Sequence, residues 1–163
     1  MILLFIFLPF VAFLRSCCDL RSRSSQIVFV LFFALFGYCH TFSDTRADSF
    51  RKFELFNNYQ AESIGDILSE FMNGERRDIY EGVLLSLVKQ FTDNPHIMMM
   101  IVGLVGGLFY MLVVRRITQD RVMGFSWAIA ILLGFIVIDC GIQQMGGIRN
   151  FTAYPIAVYS IIR

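Results

Sequence analysis

Apolar and polar positions alternate in long blocks along the chain, and the blocks predict helices rather than strands. Five apolar runs stand out: Met1–Leu14, Ile27–Cys39, Ile97–Val114, about Val122–Ile138, and a run that begins at Phe151. A helix needs roughly 20 mainly apolar residues to cross a bilayer, and the third and fourth runs come closest. The pattern therefore predicts an all-α fold, a polytopic transmembrane helix bundle of about five spans that forms one integral membrane domain over residues 1–163.

The first run has two interpretations, a retained helix or a cleaved signal peptide. A signal peptide carries its basic residues before the apolar stretch and a small-residue cleavage site after it. Here arginines follow the run, beginning at Arg15. This arrangement favours a retained helix.

Arginines in two short polar segments predict how the spans are oriented. Arg15, Arg21 and Arg23 follow the first run, and Arg115 and Arg116 follow the third. Short loops rich in Lys and Arg stay in the cytoplasm. The N-terminus and the segment 40–96, which has ten acidic and six basic residues, are then predicted to lie outside.

The external segment 40–96 shows helical rather than irregular patterning. Phenylalanines recur every third residue between positions 47 and 59, and a second stripe runs from Ile64 to Phe71. A third helix is predicted to begin at Asp78, which has capping-box spacing to Glu81. These short amphipathic helices either lie in the membrane interface or pack on the spans and roof a cavity.

Composition supports the membrane assignment and excludes several other classes. Hydrophobic residues make up 56% of the chain, charged residues 17%, and the mean hydropathy is +0.63. These values are typical of a multi-spanning membrane protein. No basic stripe suggests nucleic acid, and the four cysteines form no C-x-x-C pair, so neither a metal site nor a cofactor is predicted.

The order of the motifs resembles the EpsG-like, Wzy-type family of bacterial polysaccharide polymerases. The pieces are "HTFSDTRADSFRKFELF" after the second run, "DIYEGVLLSLVKQFTDNPHIMM" leading into a glycine-rich run that ends in "VVRR", and "GGIRNFTAYPIAVYSIIR". The resemblance covers nearly the whole chain, although each motif is short. Phe50 stands where the family often has tyrosine, and Tyr154-Pro155 is unusual in the last helix. Members are longer, so the resemblance implies the N-terminal part of a polymerase.

The resemblance also implies an activity and a location. Such polymerases join oligosaccharide repeat units carried on undecaprenyl diphosphate, a glycosyltransferase-type reaction of exopolysaccharide, capsule or O-antigen synthesis. They act on the outer face of the bacterial inner membrane. The implied partners are the lipid-linked oligosaccharide, membrane lipid and other polysaccharide export proteins, with no nucleic acid and no cofactor.

Two kinds of catalytic residue are expected for this transfer. Arg149 suits a diphosphate leaving group, because its planar fork binds phosphate oxygens in pairs, and Gly147 lets the backbone approach the ligand. Asp44, Asp48 and Asp78 are candidate bases for the acceptor hydroxyl. The alternatives are that Arg149 snorkels to lipid phosphates and that Asp44 caps a turn.

Three further residues are candidates for substrate binding, namely Arg46, Arg51 and His40. The arginines are suited to sugar or phosphate, and His40 to acid–base contact with the substrate. The alternatives are that the arginines face water and that His40 and His96 cap helix ends.

Two other function classes remain open from the sequence. A transporter or flippase component would carry charged residues in mid-span, and the third and fourth apolar runs have none deep within them. A non-catalytic or truncated membrane protein would need no such groups.

Overall fold

The computed structural model describes residues 1–41, 48–60, 62–76, 78–119, 134 and 148–162. Within these residues the chain forms α-helices and no β-strand, as the sequence predicts. The helices are α1 (Ile2–Phe7), α2 (Pro9–Cys18), α3 (Arg23–Tyr38), α4 (Asp48–Asn58), α5 (Ile64–Met72), α6 (Ile79–Lys89), α7 (Pro95–Gln119) and α8 (Ile148–Ile162).

Helix α7 is the longest helix in this part of the chain and the main apolar element. Proline at its first position and the Asn94 side chain, which accepts from the His96 N–H at 2.9 Å, define its start. The segment Pro95–Ile117 has a mean hydropathy of 2.5 and is long enough to cross a membrane.

Three other apolar helices are shorter than a full span. They are Pro9–Cys18, Arg23–Tyr38 and the stretch Phe151–Ile161 of α8. The fourth predicted span, about 122–138, lies outside the described residues except for Gly134. The described residues therefore show an all-helical fold with one helix of membrane-spanning length.

Helix α3 packs on α7 through glycines that let the two backbones approach. A Cβ atom on Gly37 would overlap the carbonyl oxygen of Met99, and one on Gly107 would lie 2.7 Å from Cβ of Phe33. Small residues at a helix crossing allow this contact in membrane proteins. Gly107 thus contributes to packing within the chain.

Aromatic rings join α2 and α3 beside this crossing. Phe13 of α2 stacks on Phe32 with ring centroids 4.2 Å apart and contacts Phe29 at 5.1 Å. Phe33 stacks in turn on Tyr110 of α7 at 5.8 Å. Ring pairs at these distances stabilise beyond their buried area, so α2, α3 and α7 share one core.

The three short helices of the segment 40–96 form where the sequence predicts them. Asp78 caps α6 through Oδ1, which accepts from the N–H groups of Tyr80 at 3.0 Å and Glu81 at 3.3 Å. The turn after α5 contains Gly74, whose φ of 76° is a left-handed conformation that glycine adopts without strain.

Helices α4 and α6 pack against α7 and share its core. Phe56 of α4 and Leu85 and Val88 of α6 are buried in the same cluster as Met98 and Val102 of α7. Of the two interpretations of the segment 40–96, packing on a long apolar helix thus applies to α4 and α6. Helix α5 contacts α6 and keeps a different face exposed.

The glycine contact between α3 and α7 generates a stability prediction. Gly37→Ala should destabilise the protein by about 1–3 kcal/mol, because the new methyl group meets backbone that cannot rotate away. Thermal unfolding of the detergent-solubilised protein measures the effect. Gly65→Ala is the matched control: its Cβ would meet only the Ser63 Oγ at 3.5 Å, so it should unfold at or above the parent temperature. Equal melting temperatures for Gly37→Ala and the parent would contradict the packing.

Candidate functional site

Arg76 is the centre of a polar cluster between α5 and α6. Its Nε donates to Glu70 Oε2 at 2.9 Å, its Nη1 donates to the Tyr59 hydroxyl at 3.3 Å, and its Nη2 pairs with Glu62. A Cβ on Gly82 would overlap Nη1, so glycine is needed for the guanidinium to sit there. The hydrogen bond with Tyr59 and the charge of Glu62 raise the pKa of Arg76, against an opposing effect of burial. Arg76 is therefore a fixed cation that crosslinks the segment.

A second ion pair connects α4 to α6. Lys52 Nζ binds Glu81 Oε1, and both side chains are mostly buried. Glu81 is thus used in a tertiary contact instead of closing the capping box with Asp78. Ser86 of α6 adds a third connection, since its hydroxyl donates to the Glu62 carbonyl at 2.7 Å and accepts from the Glu62 N–H at 2.8 Å.

These contacts surround a cleft of about 380 Å³. Its lining is Leu55, Tyr59, Glu75, Arg76, Asp78, Glu81, Gly82 and Leu85. Three carboxylates against one guanidinium make the cleft acidic, and carboxylate and phenol oxygens accept hydrogen bonds from hydroxyl groups. The arrangement suits a hydroxyl-rich ligand with an apolar face.

Helix α8 begins beside the first turn of α6. Tyr80 is half-buried next to Thr152; burial raises the pKa of its hydroxyl, the neighbouring Thr152 side chain opposes the rise, and the Asp78 carboxylate adds to it. Arg149 precedes Thr152 by three positions, so the two positions share a face of α8. The start of α8 and the acidic cleft therefore belong to one region of the fold.

Phe151 fixes the level of this region along α7. Its ring occupies the space that a Cβ on Gly106 would take, and it contacts Tyr110 at 5.5 Å. Gly106 comes eleven residues after Pro95, roughly 16 Å along the helix axis at the usual rise. The first turn of α8 thus lies beside the middle of α7 rather than beside its first turn.

A histidine pair lies at the other end of the α3–α7 contact. His96 Nδ1 donates to the Tyr38 carbonyl at 2.9 Å, and the two rings are 5.8 Å apart. His40 is half-buried, and burial followed by the nearby charge of His96 lowers its pKa. His40 is thus suited to remain neutral at physiological pH.

The structure describes some of the residues predicted from the sequence as functional. Arg149 lies in the first turn of α8 and Asp48 begins α4, while the side chains of both lie outside the description. Arg51 is exposed on α4 and His40 follows α3. The predictions for Asp44, Arg46 and Gly147 fall on residues that are not described.

Of the cleft residues, only Asp78 was predicted as functional from the sequence, as a candidate base with helix capping as the alternative. Its Oδ1 caps α6 in the structure. Tyr59, Glu62 and Arg76 meet through tertiary folding, which no local pattern reports. Across the described ranges, no group of three His, Cys, Asp or Glu side chains could hold a metal ion.

No protein-family model, curated protein or solved structure matches the chain.

The Arg76 cluster predicts a stability effect. Arg76→Ala should cost about 1–3 kcal/mol, because it leaves two neighbouring carboxylates without their shared cation. Arg76→Lys should recover only part of the loss, since an ammonium cannot span both partners in the same geometry. Chemical denaturation in detergent measures both. Arg51→Ala removes an exposed arginine of α4 and should change the free energy of unfolding little. Equal losses of stability in Arg76→Ala and Arg51→Ala would argue against a special role for Arg76.

The environment of His40 predicts how stability depends on pH. Because its pKa is lowered in the folded protein, the unfolded chain binds the proton more tightly. The contribution of neutral His40 to the free energy of unfolding should be complete above the ordinary pKa of 6.5 and should decrease as the pH falls below it. Melting temperatures across this range should fall less steeply in His40→Gln. An unchanged slope in that variant would assign the acid sensitivity to other groups.

Proposed function

We propose that the chain is a multi-pass protein of the bacterial inner membrane and belongs to a polymerase that joins lipid-linked oligosaccharide repeat units. Helix α7 supplies a segment of spanning length. The shorter apolar helices α3 and α8 pack against it, α2 packs on α3, and neighbouring helices allow a short span to be buried in protein. Arg115 and Arg116 lie in the last turns of α7, which favours a cytoplasmic position for that end and an external one for Pro95.

One observation carries the proposal: Tyr80 of α6 meets Thr152 of α8. This contact brings α8, which carries Arg149 in its first turn, beside the acidic cleft. A polymerase of this kind needs a cation for the diphosphate and a polar site for the acceptor sugar in the same region. The α6–α8 contact supports such an arrangement with residues from two distant parts of the sequence.

The proposed reaction is a displacement at the anomeric carbon of the donor. The acceptor hydroxyl forms the new glycosidic C–O bond while the bond from that carbon to the diphosphate oxygen breaks. The hydroxyl proton passes to a carboxylate base, and the charge that develops on the departing diphosphate is stabilised by Arg149. Lipid diphosphate is both the leaving group and the carrier.

Asp48 is the strongest of the proposed bases. It lies four residues before Lys52 on α4, and Lys52 binds Glu81 of the cleft lining. Positions four apart share a face of a helix. The cleft carboxylates Asp78 and Glu81 are already engaged with the α6 N–H groups and with Lys52, so binding of sugar hydroxyls is the role that we propose for the lining.

The test is glycan chain length in the source bacterium after replacement of the gene by variants. Arg149→Ala should reduce elongation about 10²-fold or more, so that single repeat units accumulate on the lipid. Arg149→Lys should keep some activity, because it retains the charge but loses the bidentate fork.

Arg116→Ala is the matched control, since it removes an exposed arginine from the last turns of α7, beyond the middle of the helix where α8 begins. Polymer length should be unchanged in this variant. Full-length polymer in both Arg149 variants, at parent protein levels, would remove the proposed role in binding diphosphate.

A further inference from the structure

Helix α5 carries an apolar face that its own neighbours do not cover. Ile64, Leu68, Phe71 and Met72 are between 41% and 77% exposed, and their spacing places them on one side of the helix. Ile67, at the edge of this face, is fully buried and lies near Gly82 of α6. The helix is therefore anchored through Ile67 and presents four large apolar side chains next to this contact.

The connection to α7 indicates what covers this face. Helix α5 packs on α6, and only residues 90–94 separate α6 from Pro95, the first residue of the segment with membrane-spanning length. Phe91 in this connection is 86% exposed and lies within about 14 Å of Pro95 even for an extended chain. Lipid is thus the apolar phase nearest to α5 and Phe91.

The level of α6 along α7 gives a second reason. Tyr80 contacts Thr152, whose neighbour Phe151 packs on Gly106 near the middle of α7. The α5–α6 pair therefore extends alongside the spanning helix instead of standing away from it.

The pairing of charged side chains near α5 gives a third reason. Arg76 binds both Glu62 and Glu70, and Lys52 binds Glu81. Pairing of this kind lowers the cost of holding charged groups close to a low-dielectric phase. Asp66, by contrast, is exposed on the side of α5 opposite to the apolar face.

We propose that α5 is an amphipathic helix that presents its apolar face to the acyl chains of the leaflet at the Pro95 end of α7. Its partner is the lipid surface, and Phe91 contributes to the same contact. An amphipathic helix in this position buries its apolar side among the upper acyl chains and keeps its polar side toward water. The inference concerns membrane contact and holds whatever reaction the protein catalyses.

Tryptophan fluorescence of the full chain in phosphatidylcholine vesicles tests the proposal. The chain has one tryptophan, so Trp127→Phe provides a background for single probes. Phe71→Trp places the probe on the apolar face, and Asp66→Trp places it on the opposite side as the matched control. Met72→Trp, at the most exposed position of the face, provides a second probe should Phe71→Trp fail to fold.

Lipids brominated along their acyl chains and aqueous iodide distinguish the outcomes. The apolar-face probe should emit at shorter wavelength, lose intensity with brominated lipid and resist iodide, whereas the Asp66→Trp probe should respond to iodide. An apolar-face probe quenched by iodide would overturn the proposal by placing the face in water. A probe that resists both quenchers would also overturn it, because protein, such as a second copy of the chain, would then cover the face.

Discussion

Where α3 crosses α7, the backbone of Gly37 lies against the carbonyl of Met99 with no side chain between them. This approach sets the spacing of the two helices and allows the phenylalanines of α3 to reach α7. Phe33 then rests on Gly107, and Phe151 of α8 occupies the space beside Gly106 one residue earlier. The contacts of α3 and α8 with α7 therefore depend on Gly37, Gly106 and Gly107. The position of the start of α8 depends on Gly106.

The polar helices α4, α5 and α6 are held together by a different means. Their crosslinks are ion pairs and hydrogen bonds: Arg76 donates to Tyr59, Glu62 and Glu70, Lys52 donates to Glu81, and Ser86 binds the Glu62 backbone. A network in which each charge has a partner resists rearrangement more than isolated surface pairs do. These contacts consequently hold the shape of the cleft beside them.

Local patterns in the sequence predict the helices well and their contacts poorly. The period of phenylalanines, the cap at Asp78 and the break near Gly74 each depend on a few neighbouring residues, and all three appear in the structure. The Lys52–Glu81 pair and the Tyr80–Thr152 contact join positions 29 and 72 residues apart, so no local signal reports them. For the same reason Arg149 and Asp48 could be proposed from residue type, while the cleft could only be found in the fold.

The fit of Phe151 against Gly106 also has a consequence for evolution. In any related chain, a methyl group at position 106 would fill the volume that the ring occupies here, so a bulky residue at 151 could be kept only by moving α8 outward. Exchange at the two positions should therefore be correlated, with total volume conserved. This contact should accept two combinations: glycine at position 106 with an aromatic residue at 151, and alanine at 106 with an aliphatic residue at 151.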